Sequence, residues 1–344
     1  MKRIGILGLP QAGKTTLFQI LMQGAGSAAP GREQIGVVRV PDPRVDQLSM
    51  LYQPKKTTYA TIQFVDSAAA GHGSARSAAR GIDLFSSVRA CDALLLVVRD
   101  FTGAGEPPDA ARDLRALEAE LILNDLAIVE GRIEKIAKEL RVGKKQNEAE
   151  HTLLERCRIA LEGGTPLTGL EFSADEERAL RGFQLLSRKP RLVVYNQDGS
   201  AGPAAASPGR GVRALALQAE LEREIVALPA GERDAFRSGL GVTEDGLSLL
   251  IRGCYELLGL ISFLTVGPDE VRAWEIRRGE SAVEAAGEIH SDLARGFIRA
   301  EVIECERLLE AGGHAKARER GWLRLEGRTY EVKDGDCLEI RFNA

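Results

Sequence analysis

The chain has 344 residues, 44% of them hydrophobic, and a formal net charge of −4 from 46 basic and 50 acidic side chains. That length allows two or three domains with a sizeable core, while the slight acidity removes any global electrostatic pull toward nucleic acid, so an RNA contact has to be local and no DNA binding is expected. Five cysteines without a C-x-x-C spacing read as reduced, intracellular thiols, and no run approaches the ~20 apolar residues of a membrane span, which predicts a cytoplasmic protein without a membrane partner.

The first predicted element is a strand over residues 4–7. It leads into Gly8-Leu-Pro-Gln-Ala-Gly-Lys-Thr15 and then a helical pattern over 16–22. The apolar start breaks at Pro10, so it reads as a strand and not as a signal peptide. The octapeptide has the G-x-x-x-x-G-K-[ST] pattern of a P-loop, in the strand-then-helix context that pattern requires. Its glycines let successive N–H groups point at one phosphate, and the helix N-terminus adds a positive dipole end. On this reading Gly8, Pro10, Gln11, Ala12, Gly13, Lys14, Thr15 and Thr16 form the cradle. Lys14 supplies a point charge to the β and γ phosphates, and Thr15 places its hydroxyl on Mg²⁺.

A small-residue loop at 24–31 precedes a strand at 35–40, which Pro41-Asp-Pro-Arg44 stops. A short helix at 45–51 leads to a strand at 61–65 that ends in Asp66. A carboxylate at the carboxyl end of a strand beside a P-loop is where a Mg²⁺ water would be held; a turn-forming Asp is the alternative. Residues 67–81 are nearly all Gly, Ala, Ser and Arg and read as the mobile loop of a nucleotide-sensing switch. Ala93-Leu-Leu-Leu-Val-Val98 is predicted as a central parallel strand. Residues 110–141 and 148–161 carry helical apolar spacing on either side of a turn at 143–147, which predicts an antiparallel hairpin. It is either a structural stalk or a partner-binding arm. Because Arg191-Leu-Val-Val-Tyr195 resumes the strand pattern, the hairpin is an insert within an α/β domain. A loop at 199–211, a last strand at 212–217 and helices over 220–260, interrupted at 239–243, complete that domain. From Phe263 onward, strands at 271–276, 297–302, 329–332 and 337–342, with turns at Arg278-Gly279 and Asp334-Gly-Asp336, predict a small α+β module.

Several phrases together resemble one family. They are residues 8–18, Val40-Pro-Asp-Pro-Arg-Val-Asp46, Glu120-Leu-Ile-Leu-Asn-Asp-Leu126 and, most specifically, Gly267-Pro-Asp-Glu-Val-Arg-Ala-Trp274, residues 289–302, Leu323-Arg-Leu-Glu-Gly327 and Asp334-Gly-Asp336. Over nearly the whole chain they are similar to the YchF-type branch of the Obg-related, TRAFAC-class P-loop GTPases. The resemblance implies an α/β P-loop NTPase domain of the GTPase type at 1–107 and 188–260. It implies a helical coiled-coil insert at 108–187 and a β-grasp-like α+β TGS domain at 261–344. It further implies a low-turnover, Mg²⁺-dependent hydrolase of purine nucleoside triphosphates that takes ATP, or either ATP or GTP. The partner implied is the ribosome or its RNA, met through the insert and the TGS domain.

The sequence departs from the family pattern at defined places. Asp66-Ser-Ala-Ala69 stands where the family has Asp-x-x-Gly; Ala69 keeps the N–H that meets a γ-phosphate, but its Cβ narrows the backbone angles. Ala70 stands where many GTPases put a water-orienting glutamine and this family an apolar residue, and it has no side chain able to orient water. The nearest imidazole, His72, is the candidate water-positioning catalytic residue, against the alternative of a solvated loop histidine. Residues 24–34 offer only Ser27 as a hydroxyl for Mg²⁺. Asn196-Gln-Asp-Gly199 keeps the base-contacting Asn196 but puts Gly where a carboxylate reads guanine. Losing that acceptor forfeits about 1–3 kcal/mol of discrimination, so strict guanine specificity is not expected. The last base-contacting loop reads as Ala214-Leu-Ala216. A second reading of the chain is therefore a nucleotide-binding or RNA/protein-interaction scaffold that does not hydrolyse. For RNA, Lys316, Arg318, Arg320, Arg324 and Arg328 interleave with Trp322 and Tyr330, but Glu319, Glu326 and Glu331 make a solvated mixed-charge face an equal reading.

Overall fold

A continuous apolar run forms a strand that both faces can bury, and Ala93 through Val98 form the buried part of β5 (Ala93–Asp100). In the computed structural model, residues 1–22, 34–66, 85–103, 107–141, 148–199, 212–241 and 245–343 are described. Ser27, Ala69, Ala70, His72 and the turn expected at 143–147 lie outside them. The chain divides into two units, residues 2–36 with 63–247, and residue 1 with 37–62 and 248–344.

The first sheet contains β1 (Arg3–Gly8), β2 (Gln34–Arg39), β4 (Thr61–Asp66), β5, β6 (Arg191–Gln197) and β7 (Arg213–Leu217) in the order β2-β4-β1-β5-β6-β7. The pairs β4–β1, β1–β5, β5–β6 and β6–β7 are all parallel. The register sets Ile6 beside Asp66 and Asn196 beside Leu217. Parallel pairing gathers the carboxyl ends of these strands at one edge, which is where open α/β sheets bind ligands. Helix α1 (Lys14–Leu21) follows β1, and the four-residue α3 (Ser86–Arg89) precedes β5. Leu7, Leu94, Leu96, Val193 and Tyr195 pack with Leu114, Leu117 and Leu121 of α4 (Ala110–Arg141) into one core.

α4 and α5 (Glu148–Glu162) form the hairpin expected from their spacing. Ile122, Val129 and Ile136 pack with Leu153, Leu154, Cys157 and Leu161. Arg132 spans the two helices, its Nε and Nη2 donating to the carboxylate of Glu150 at 2.8 and 2.9 Å. A 3-10 turn (Leu167–Gly169) and α6 (Ala174–Arg181) return the chain, with Ser173 and Glu176 forming a capping box at the start of α6. At the root, the fully buried Asp125 accepts from the backbone N–H groups of Leu186 and Ser187 at 2.8 and 2.7 Å. After β7 come α7 (Ala219–Ala227), α8 (Ala230–Gly239) and α9 (Gly246–Leu257).

The second sheet has the order β11-β10-β12-β8-β9-β3, from β3 (Lys56–Thr58), β8 (Leu260–Val266), β9 (Glu270–Arg277), β10 (Phe297–Glu304), β11 (Arg324–Glu326) and β12 (Asp336–Phe342). Helix α10 (Ala282–Ile289) lays Ala282, Ala285 and Ala286 on Ile261, Phe263, Val302 and Leu338, small residues allowing the close approach of helix and sheet. α11 (Ser291–Arg295), α12 (Cys305–Ala311) and α13 (His314–Glu319) connect the remaining strands. The strand expected at 329–332 is only a single bridge between Ser281 and Glu331. Its backbone is used elsewhere: Tyr330 N–H closes a turn on the Gly327 carbonyl, and the Tyr330 carbonyl accepts from Ala282 N–H at the start of α10.

A segment far upstream completes this unit. After Asp42 caps it by accepting from Arg44 N–H, α2 (Pro43–Tyr52) buries Val45 and Leu48, and β3 pairs in parallel with β9 through Lys56 and Glu270. Arg44 donates to Asp334 at 2.9 Å, and the Tyr52 hydroxyl accepts from His314 N–H at 2.9 Å.

Candidate functional site

The loop between β1 and α1 is bent by Gly13, whose φ of +94° lies in the left-handed region that favours glycine. A Cβ at Gly13 would stand 2.3 Å from Nδ2 of Asn196, and one at Gly8 would stand 2.4 Å from the Val97 carbonyl oxygen. Gly13 is also the N-cap of α1 and no side chain caps that helix, so its first N–H groups face the loop's concavity. The Lys14 ammonium donates to the carbonyls of Gly8 and Leu9 at 2.8 and 2.9 Å. An ammonium has three donors, so one remains for a phosphate oxygen.

Asp66 ends β4 and is 5% exposed, and among the described residues its Oδ1 has no hydrogen-bond partner. Burial pushes its carboxyl above the ordinary carboxylate value, with Lys14 pulling the other way. Burial likewise lowers the Lys14 ammonium, with Asp66 opposing that shift. A buried carboxylate with an orphaned oxygen beside a half-buried ammonium is suited to a ligand that brings both a cation and an anion. A Mg²⁺–phosphate pair has that character, and the Thr15 hydroxyl and Asp66 carboxylate are oxygen donors of the kind Mg²⁺ takes.

The cleft at this edge has a volume of about 580 Å³, within the usual range for a small-ligand site. Gln11, Gly13, Lys14, Thr15 and Thr16 line its phosphate end; Phe101, Thr102, Asn196, Gln197, Asp198, Ala219 and Glu220 line the other. The sequence-derived residues Gly8, Pro10 and Ala12 shape the loop from outside this lining. Asn196 is buried and spans the two ends, its Nδ2 donating to the Ala12 carbonyl and its Oδ1 accepting from Ala219 N–H, both at 3.1 Å. It therefore positions the phosphate loop against the base end as well as facing the cleft.

Asp198 lines the cleft with its carboxylate held by Thr102, from the backbone N–H at 2.8 Å and the hydroxyl at 2.6 Å. Gly199 has a φ of +82° and packs against Gln218. The last base-side loop is not Ala214-Leu-Ala216, because those residues lie inside β7; the chain meets the cleft later, at Ala219 and Glu220. Phe101, Thr102, Gln197, Ala219 and Glu220 were not singled out by the sequence. All follow, or end, predicted parallel strands, and that position was the available signal.

Comparison with known proteins agrees with this architecture. The family model YchF-GTPase_C, described as a protein of unknown function (DUF933), matches residues 260–343. A Bacillus subtilis (strain 168) protein named Ribosome-binding ATPase YchF is 37% identical over 98% of this chain and 98% of its own. The protein of the same name from Escherichia coli O157:H7 is 36% identical over 99% of each chain. The solved structure of the Schizosaccharomyces pombe YchF GTPase superposes with a TM-score of 0.83 at 25% identity, covering 99% of this chain and 97% of that one. With identity of this level running end to end and the same fold in the solved relative, the chain belongs to the YchF family.

Proposed function

We propose that this chain is a low-turnover, Mg²⁺-dependent purine nucleoside triphosphatase that takes ATP rather than strictly GTP and acts in the cytoplasm in association with the ribosome. The observation that carries the reading is the phosphate end of the cleft: a left-handed Gly13, an uncapped α1 and Lys14 facing Asp66, whose Oδ1 is orphaned. Thr15 would hold Mg²⁺ directly and Asp66 through water, and the ion would supply charge neutralisation on the phosphates. The relatives' printed name supports both the ATPase activity and the ribosome as partner. The 108–187 insert and the 261–344 TGS domain are the surfaces assigned to that partner, with 1–107 and 188–260 as the nucleotide domain. His72 is assigned to position the attacking water.

The base end supports ATP over strict GTP use. No carboxylate stands at Gly199, and Asp198 is engaged by Thr102. Calorimetric titration of the full chain with ATP and with GTP in Mg²⁺ tests this. Binding of ATP that Lys14→Ala abolishes is expected, with GTP bound no more than tenfold tighter than ATP. A chain that binds neither nucleotide refutes the P-loop reading. Ala69, Gly199 and the lack of a threonine at 24–34 favour a second reading, a nucleotide-binding scaffold without hydrolysis. Phosphate release equal to buffer background, with binding intact, decides for it.

A further inference from the structure

A second cavity, of about 320 Å³, lies within the unit built from 37–62 and 248–344 and shares no lining residue with the nucleotide cleft. One wall is fixed. Arg44 donates from Nε and Nη2 to Asp42 at 2.9 and 2.8 Å and from Nη1 to Asp334 at 2.9 Å, and Asp334 also accepts from Ser262 N–H at 2.9 Å. Behind it the buried Tyr255 donates to the Ile261 carbonyl at 3.0 Å and meets the Ser262 hydroxyl at 2.9 Å. This wall is hydrogen-bonded throughout, so its acidic groups are already largely spent on Arg44.

Two other lining residues differ. Arg252 of α9 and Arg278, just past β9, line the same cavity and are exposed, and among the described residues neither side chain makes an ion pair or hydrogen bond. Some arginines elsewhere in the chain pair with acids three or four positions away, as Arg158 does with Glu155 and Glu162 and Arg307 with Glu304. Arg252 has Glu256 at the corresponding spacing and does not pair with it. Arg278 has Glu280 two positions on, whose carboxylate instead accepts from Arg277 N–H. Two guanidinium groups without side-chain acceptors among the described residues line one cavity, and a guanidinium meets a phosphate group with paired N–H donors. The volume admits pyrophosphate or a phosphorylated metabolite.

We propose that this cavity binds a small phosphate-bearing anion through Arg252 and Arg278. Pyrophosphate is the probe, and Lys14→Ala removes the competing P-loop. Full-length Lys14→Ala protein is expected to retain a calorimetric binding event with pyrophosphate that weakens at least tenfold in the Lys14→Ala/Arg252→Ala/Arg278→Ala variant and with added salt. The Arg252→Ala/Arg278→Ala pair in the otherwise native chain should leave Mg-ATP binding unchanged. If Lys14→Ala unfolds the chain, native protein saturated with Mg-ATP takes its place in the pyrophosphate titration. Absence of a second binding event, or equal binding after loss of both arginines, overturns the proposal. So does binding through these arginines of a 5′-phosphorylated oligonucleotide but of no free anion, since the surface would then be an RNA contact.

Discussion

At Gly13 two demands meet in one residue. Its φ of +94° disfavours any side chain, and the space a methyl group would take is held by the Asn196 amide. Gly13→Ala is therefore expected to destabilise the chain by about 1–3 kcal/mol, read from its denaturant midpoint, and to weaken ATP at least tenfold. Asn196→Ala orphans the Ala12 carbonyl and the Ala219 N–H, at a cost of about 1–3 kcal/mol. Because those bonds hold the loop and not the base, ATP and GTP affinities should fall together; a change in their ratio would make Asn196 a base reader first. His314 offers a pH test. The Tyr52 hydroxyl accepts from the His314 backbone N–H at 2.9 Å and lies 2.7 Å from Nδ1, a contact whose donor depends on the imidazole tautomer. Burial lowers the imidazole from its ordinary value of 6.5, with Glu339 and Glu301 opposing and Arg318 reinforcing the shift. The folded state thus binds fewer protons than the unfolded one. Its stability contribution is full above the ordinary value of 6.5 and is lost as pH falls below that value through the lower folded one. The denaturant midpoint should drop on acidification more steeply in the native chain than in His314→Asn.

At the scale of elements, what was legible was local. The P-loop, the hairpin helices and most strands announce themselves by spacing over a few residues. The phrase containing Asn124 and Asp125 stood out as a family signature with no reading of its purpose, because its partners, Leu186 and Ser187, lie some 60 positions away (|i−j| of 61 and 62). It fastens the hairpin's first helix to the approach of β6. Asp125→Ala leaves two buried N–H groups without acceptors, with an expected cost of about 2–5 kcal/mol. Asp125→Asn should recover only part of that, since its amide NH₂ would face a donor. Hydrogen exchange at Leu186 and Ser187 reads the loss directly, as fast exchange confined to the hairpin root if the clamp is its only role. The segment 329–332 reads as a strand because composition does not say whether a backbone is spent on a turn, whereas the tripeptide 214–216 is taken for a base-contacting loop by its place in the motif order although it lies within the strand expected at 212–217.

For the molecule as a whole, the sequence order hides which segments belong together. Residues 37–62 read as part of the nucleotide domain, yet α2 and β3 share their unit with 248–344. Pairing partners leave no mark in composition. A chain ending at Leu247 should consequently expose Val45 and Leu48, bind a hydrophobic-surface dye and associate, whereas the full chain should not; a well-behaved truncated chain would contradict the division. The pairing of β3 with β9 has a consequence in time as well. Lys55 and Asp269 are separated by 214 positions, and synthesis proceeds at about 5–20 residues per second, so β3 waits on the order of 10–40 s for its neighbour to be made. Throughout that interval α2 leaves the ribosome with its apolar face bare, and the C-terminal unit can close only after the last strand has emerged.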